Sequence, residues 1–169
     1  MTPILLLGAG RMGGALVAGW RRAGAATGQD LMIRDPTPGP EAAASGALID
    51  PSPADMARAR TVLLAVKPQV WREAAAAVAP HLAPDAIVVS IAAGVPSKAI
   101  AAAFGGRRVA RVMPTTAAAI GKGAASVYAA DPEARGRAHA LFAPVGTVVD
   151  LTDEDQMHAA TAVSGSAPA

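Results

Sequence analysis

The sequence contains no cysteine. That absence excludes disulfide staples, a thiolate nucleophile and cysteine-ligated metal, and it suits a reducing compartment. Aromatic residues are scarce too, at 3% of the chain, so the core has to be built from Val, Leu and Ile. Charge is thin: 17% of residues are charged and the net charge is +2. So small a balance, with arginines scattered apart from the pair Arg107-Arg108, speaks against nucleic acid as a partner. No apolar run approaches the ~20 residues of a membrane span, and no basic segment precedes the apolar run at 4–7 as a signal peptide requires. The expectation is a soluble, cytoplasmic protein. His81, His139 and His158 stand far apart on expected helices and read as surface or packing residues, so no metal site is expected.

What is present is an alternation of two patterns. Short apolar runs without polar alternation occupy 4–7, 31–33, 61–66, 86–91 and 109–113, as strands buried on both faces do. Between them lie Ala-rich stretches at 12–23, 41–44, 53–59, 70–78 and 98–104 that favour helix. Strands then recur at 123–130 and 146–151, with helices at 132–142 and 153–163. This order predicts an α/β fold of Rossmann type, with a doubly wound, mostly parallel sheet. The segment Asp35-Pro-Thr-Pro-Gly-Pro40 cannot continue regular structure, because proline lacks an amide donor. Asp50-Pro-Ser-Pro53 offers Ser52 as a helix cap and Pro53 as the first helical residue.

Chemistry enters at Gly8-Ala-Gly10-Arg-Met-Gly13, which follows the first strand directly and opens the first helix. A bare G-x-G-x-x-G is a weak signal, but this position gives it weight. Gly8 permits the tight turn, Gly10 leaves room for a pyrophosphate, and Gly13 lets helix and strand pack closely. The free amides of Arg11, Met12 and the first turn then face the phosphate charge. The expected cofactor is NAD or NADP. Asp35 stands twenty-two positions after Gly13, where an acid accepts hydrogen bonds from the adenosine ribose diol and favours NAD. Arg34 and Thr37 are equally placed to hold a 2′-phosphate, and Asp35 can instead cap the following turn. The choice of cofactor stays open.

Four further segments carry a resemblance. Ala65-Val-Lys-Pro-Gln69, Ser90-Ile-Ala-Ala-Gly94, Arg111-Val-Met-Pro114 and Ala162-Val-Ser-Gly-Ser-Ala-Pro168, in this order and spacing, make the chain resemble the pyrroline-5-carboxylate reductases over essentially its whole length. The resemblance implies NAD(P)H-dependent reduction of 1-pyrroline-5-carboxylate to L-proline, the last step of proline biosynthesis. It places Ala65, Val66, Lys67 and Pro68 beside the nicotinamide ribose and brings Ala93 and Gly94 near the nicotinamide. It places Met113, Pro114, Thr115, Ser164, Gly165 and Ser166 on the substrate side. Arg111 reads equally as catalytic or as a structural ion pair, and no catalytic acid is assigned.

Two departures stand out. The family shows Asn-Thr-Pro after Met-Pro, where this chain has Thr115-Thr116-Ala117; loss of the proline is expected to free the turn. The family's Ser-Gly-Ser-Gly-Pro becomes Ser164-Gly165-Ser166-Ala167-Pro168. Family members also continue into a helical dimerisation domain. Residues 1–151 are therefore expected to form the dinucleotide-binding domain and 152–169 the start of a truncated helical one. On this expectation the full protein is a homo-oligomer, and the last helix leaves its apolar face around Met157, Ala160 and Val163 without a partner. The alternatives are a related β-hydroxyacid-type or deazaflavin-dependent dehydrogenase domain, and a non-catalytic NAD(P)-sensing module.

Overall fold

The computed structural model of the chain describes residues 2–26 and 28–166, with the side chains of Gly165 and Ser166 excepted. Its centre is one eight-stranded sheet in the order β3-β2-β1-β4-β5-β6-β7-β8. The strands are β1 Ile4–Leu7, β2 Leu31–Arg34, β3 Leu48–Ile49, β4 Thr61–Leu64, β5 Ile87–Ser90, β6 Val109–Pro114, β7 Gly123–Tyr128 and β8 Gly146–Asp150. The first six run parallel; β7 turns antiparallel to β6, and β8 runs parallel to β7. Helices α1 Arg11–Ala23, α2 Pro40–Ala43, α3 Pro53–Met56, α4 Trp71–Val78, α5 Ser97–Ala103, α6 Pro132–Phe142 and α7 Gln156–Thr161 connect or follow the strands. None of them is long and apolar enough to cross a membrane.

The apolar runs lack alternation because both faces of the sheet are covered. Ile4, Leu6, Ile33, Leu63, Val89 and Val112 pack under α1 and α6, against Leu16, Trp20, Leu141 and Phe142. Their neighbours Leu5, Leu7, Met32, Val62, Leu64 and Val88 point the other way, into a second core with Met56, Trp71, Val78, Ile100 and Phe104. Trp20 is the one large aromatic of the first core with a polar edge, and its Nε1 donates to the Leu141 carbonyl at 2.7 Å, which ties α1 to α6. Burying the indole N–H without an acceptor would be costly.

Local signals match local structure closely at α3. Ser52 accepts from the Asp55 amide while the Asp55 side chain accepts from the Ser52 amide, with Pro53 at the first turn, a reciprocal cap. The Arg107-Arg108 pair is absorbed by the fold. Arg107 donates to the carbonyls of Leu82, Ala83 and Phe104, and Arg108 is paired with Glu133 and Asp131.

Three features depart from the sequence expectation. The two-residue β3 has both residues exposed at the sheet edge, too short to give a periodic signal. Ala117 does not leave the turn after β6 free. Residues Thr116–Ile120 form a 3-10 helix ended by Gly121 at φ 72°, and Thr115 pins its base through its amide to the Ala124 carbonyl (2.9 Å) and its Oγ1 from the Ala124 amide (3.0 Å). The last helix is not apolar on an empty side: Met157 is buried at 1% exposure, and α7 packs across β6 and β7. Val163, 69% exposed, lies at the surface.

Candidate functional site: a crevice at the switch point of the sheet

After β1 the chain moves outward to β2 and β3, then returns past β1 to β4. Helices on the two sides of this reversal diverge, leaving a crevice beyond the carboxyl ends of β1 and β4, where open α/β sheets bind ligands. Gly8 ends β1 there, and Ala65-Val66 follow β4. The two ends are locked together: the Ala65 amide donates to the Leu7 carbonyl at 2.8 Å, and the Gly8 amide to the Arg34 carbonyl at 3.0 Å.

Geometry explains each glycine of the loop. Gly8 has φ +91°, and a Cβ on it would meet the Ala65 carbonyl oxygen at 2.8 Å. A Cβ on Gly13 would lie 2.1 Å from the Gly8 carbonyl oxygen, so glycine there sets how closely α1 approaches β1. Gly10 is different. It is the N-cap of α1, at φ −71°, makes no side-chain cap, and has no atom within 4 Å of where its Cβ would stand. Open space thus lies directly over the uncapped amides of a thirteen-residue helix with no acid in its first turn. A helix start of this kind attracts anions, and the absent side chain is the room a pyrophosphate would fill.

A cavity extends from this point, and a second adjoins it. One, of about 570 Å³, is lined by Gly8, Gly10, Arg11, Met12, Asp35, Ala65, Val66, Lys67, Met113 and Pro114, among others. The other, of about 740 Å³, continues toward β3 and is lined by Arg34, Asp35, Pro36, Pro38, Val66, Val70 and Ala74, among others. Tertiary structure therefore brings together ten of the residues singled out from sequence, with Arg34 in the adjoining cavity and Gly13 packed beneath the loop. Pro68, Ala93, Gly94, Thr115 and Ser164 line neither cavity. Gly94 turns at φ +73° after β5, and Thr115 spends its hydroxyl's acceptor capacity on the β6–β7 turn. Ser164 donates its hydroxyl back to the Ala160 carbonyl within the π-helical turn Ala162–Ser166. Gly165 and Ser166 share that turn, while Ala167 and Pro168 lie outside the described residues.

The first cavity carries more basic than acidic side chains. Arg11 and Lys67 stand exposed at its rim, and neither they nor Arg34 has a carboxylate in ion-pair range among the described residues. Asp35 is the one acid in the lining of the first cavity, and its carboxylate is already engaged. Oδ2 accepts from the Ala9 amide at 2.6 Å and Oδ1 from the Thr37 amide at 2.7 Å. Asp35 fastens the glycine loop to the turn after β2 while keeping its charge, and the second cavity has Asp50 and Glu73 in its lining beside Arg34.

Sequence reasoning did not single out Glu154. Its Oε1 accepts from the Ser97 amide (2.7 Å) and from the Arg111 guanidinium (2.8 Å), and its Oε2 accepts from the Ser97 hydroxyl (2.8 Å). Arg111, 4% exposed, is thereby an ion-paired structural residue. Burial pushes the Glu154 carboxyl up, but the Ser97 amide, the Arg111 guanidinium and the Ser97 hydroxyl outweigh it and hold the group below the ordinary carboxylate range. In the sequence Glu154 stands between Asp153 and Asp155 ahead of a helix, and acids gather at helix starts for the dipole alone, so nothing there marked it out. Among the described residues no group of His, Asp and Glu has the clustering a metal requires.

Known proteins share this architecture. The chain is 39% identical to a pyrroline-5-carboxylate reductase of Pseudomonas aeruginosa over 182 aligned positions, covering 99% of this chain and 64% of that one. A pyrroline-5-carboxylate reductase of Haemophilus influenzae is 34% identical, covering 98% and 64%. The chain thus spans a little under two thirds of the length of these curated relatives. Among solved structures, a pyrroline-5-carboxylate reductase of Coxiella burnetii superposes with a TM-score of 0.86 at 25% identity, covering 99% of this chain and 65% of that one. A Plasmodium falciparum pyrroline carboxylate reductase with NADP bound superposes with a TM-score of 0.85 at 21% identity, covering 99% and 63%, a likeness of fold. The resemblance carried by the four sequence segments is borne out. A family model described as NADP oxidoreductase, coenzyme F420-dependent, matches residues 3–94. With the glycine loop and more than half of the chain inside that match, the chain belongs to the NADP oxidoreductase, coenzyme F420-dependent, family.

Proposed function

We propose that this chain is the cofactor-binding part of a pyrroline-5-carboxylate reductase, using NADPH or NADH to reduce 1-pyrroline-5-carboxylate to L-proline in the cytoplasm. The observation that carries the reading is the open space beside Gly10 at the start of α1, in a chain similar to curated proteins that bear that name. On this reading the amides of Arg11 and Met12 hold the pyrophosphate, and the second cavity takes the adenosine between Pro36, Pro38 and Val70. Lys67 and Pro68 border the nicotinamide ribose, and Ala93-Gly94 follow β5 toward the nicotinamide. Bound there, a reduced nicotinamide supplies the hydride. The residues of this chain orient it and exclude water from its apolar wall at Met113 and Pro114, so their contribution is mainly positional.

Because Asp35 is turned onto main-chain amides while Arg34 has no acid in ion-pair range among the described residues, we take Arg34, against the acids Asp50 and Glu73 of the same lining, as the group that holds a 2′-phosphate. NADPH is therefore the expected preference. Residues 1–151 form the dinucleotide-binding domain, and 152 onward begins a helical one. Met113, Pro114, Thr115 and Ser164–Ser166 border the substrate. The exposed Val163 supplies apolar surface for a homo-oligomer. Titration of the chain with NADPH and NADH, followed by nicotinamide fluorescence, tests the reading. Binding of NADPH at least tenfold tighter than NADH, lost in Arg34→Ala, supports it; binding of neither sinks it. The family description favours one second reading, hydride exchange with a deazaflavin. Oxidation of reduced coenzyme F420 by NADP in the presence of the chain would select it.

A further inference from the structure

Resting on that reading, we propose that Glu154, gripped by Arg111 and Ser97, is a positioning residue that sets where α7 and the Ser164 segment stand relative to the crevice. Three stretches meet at its carboxylate. Arg111 lies in β6 two residues before Met113. Ser97 opens α5 three residues after Gly94. Glu154 lies on the connection from β8 to α7, the helix that leads to Ser164. One side chain thus joins the wall of the first cavity, the loop beyond β5 and the arm on the substrate side.

The other ties of α7 do not do this. Met157 is buried against the sheet, but apolar contact is non-directional and tolerates sliding. Gln156 bonds back to the amides of Thr152 and Asp153, Thr161 to the Met157 carbonyl, and Ser164 to the Ala160 carbonyl, all within the arm itself. Glu154 makes directional bonds from the arm to β6 and α5 together. Its partner Arg111 has a side chain only 5% exposed, so the guanidinium cannot turn to water when the pair opens. A partly buried, hydrogen-bonded ion pair of this kind selects one arrangement over neighbouring ones.

Lack of cysteine makes the test direct. Spin labels at Ala76→Cys on α4 and Val163→Cys after α7, both exposed positions, are then the only labels on the chain, and electron double resonance reads the distance between them. In the parent background the distance distribution is narrow. Glu154→Gln at least doubles its width, and Ser97→Ala, which keeps the amide and Arg111 bonds, broadens it by less than half as much. Glu154→Asp restores part of the narrowing, and NADPH affinity stays within twofold in every variant. A Glu154→Gln distribution as narrow as the parent's overturns the proposal. So does broadening that comes with matching loss of NADPH binding, which marks general loosening of the fold. Should Glu154→Gln fail to fold, Ser97→Ala decides: no broadening there overturns it. If the parent itself binds no NADPH, the reductase reading falls, while the distances still report whether Glu154 holds the arm.

Discussion

Two neighbouring glycines separate folding from binding. Ala at position 13 places a Cβ 2.1 Å from the Gly8 carbonyl oxygen and 3.7 Å from the Ala65 side chain. The first obstacle is main chain, and the same Gly8 is tied to β2 through its amide, so α1 must lift by more than 1 Å to reach ordinary contact near 3.4 Å. Overpacking of this kind costs about 1–3 kcal/mol, and the obstruction by backbone puts the strain at the upper end. Replacing glycine within a helix returns up to about 1 kcal/mol, leaving a net loss of about 1–2 kcal/mol. Ala at position 10 meets nothing within 4 Å and has an ordinary φ of −71°. The poorer cap and the stiffer unfolded chain roughly cancel, so stability should hold within about 0.5 kcal/mol. Its methyl nevertheless occupies the cradle. With a urea m-value of about 2 kcal/mol/M, Gly13→Ala lowers the unfolding midpoint by about 0.5–1 M, while Gly10→Ala moves it by less than about 0.3 M. In NADPH titrations Gly10→Ala weakens binding by about 30-fold or more, roughly 2 kcal/mol. Gly10→Ala that binds like the parent would show that the space over α1 is not the pyrophosphate site. Gly13→Ala as stable as the parent would refute the packing argument.

Asp35→Ala removes the acceptor of two main-chain amides; if the carboxylate fastens the loop, NADH and NADPH weaken together, whereas selective loss of NADH in the same titrations would mean that it reads the ribose diol. Trp20→Phe leaves the buried Leu141 carbonyl without its donor and should cost about 1–3 kcal/mol, a fall in Tm of several degrees by calorimetry. Glu154 has a folded pKa below its ordinary value of 4.5. Its stabilising effect is therefore fully present above that value and is lost as pH falls through the folded pKa. In urea unfolding followed against pH, the gap between the parent and Glu154→Gln should close below about 4.5; a gap that persists undiminished to strongly acid pH would contradict the ion pair.

Much of this protein was legible in one dimension because its causes are local. Period, run length and the Ser52–Asp55 cap depend on neighbours a few residues apart, and a sheet covered on both faces leaves apolar runs without alternation. The glycine loop was legible because Gly8, Gly10 and Gly13 serve one turn and one helix start. The tertiary structure alone decided how distant groups use their bonds. Asp35 and Ala9 are twenty-six positions apart, and no spacing rule tells whether a carboxylate at a strand end faces a ribose or a loop amide. Arg111 and Glu154, forty-three positions apart, meet only because α7 crosses β6 and β7. The antiparallel β7 was likewise settled by the short connection after Pro114, which has no room for a crossover helix. Sequence by itself determined the tight turn and the uncapped helix start that we propose as a dinucleotide cradle, since both are short-range products of glycine. Only the folded chain decided which charges remain free to face that cradle, because burial and pairing are properties of the packed whole.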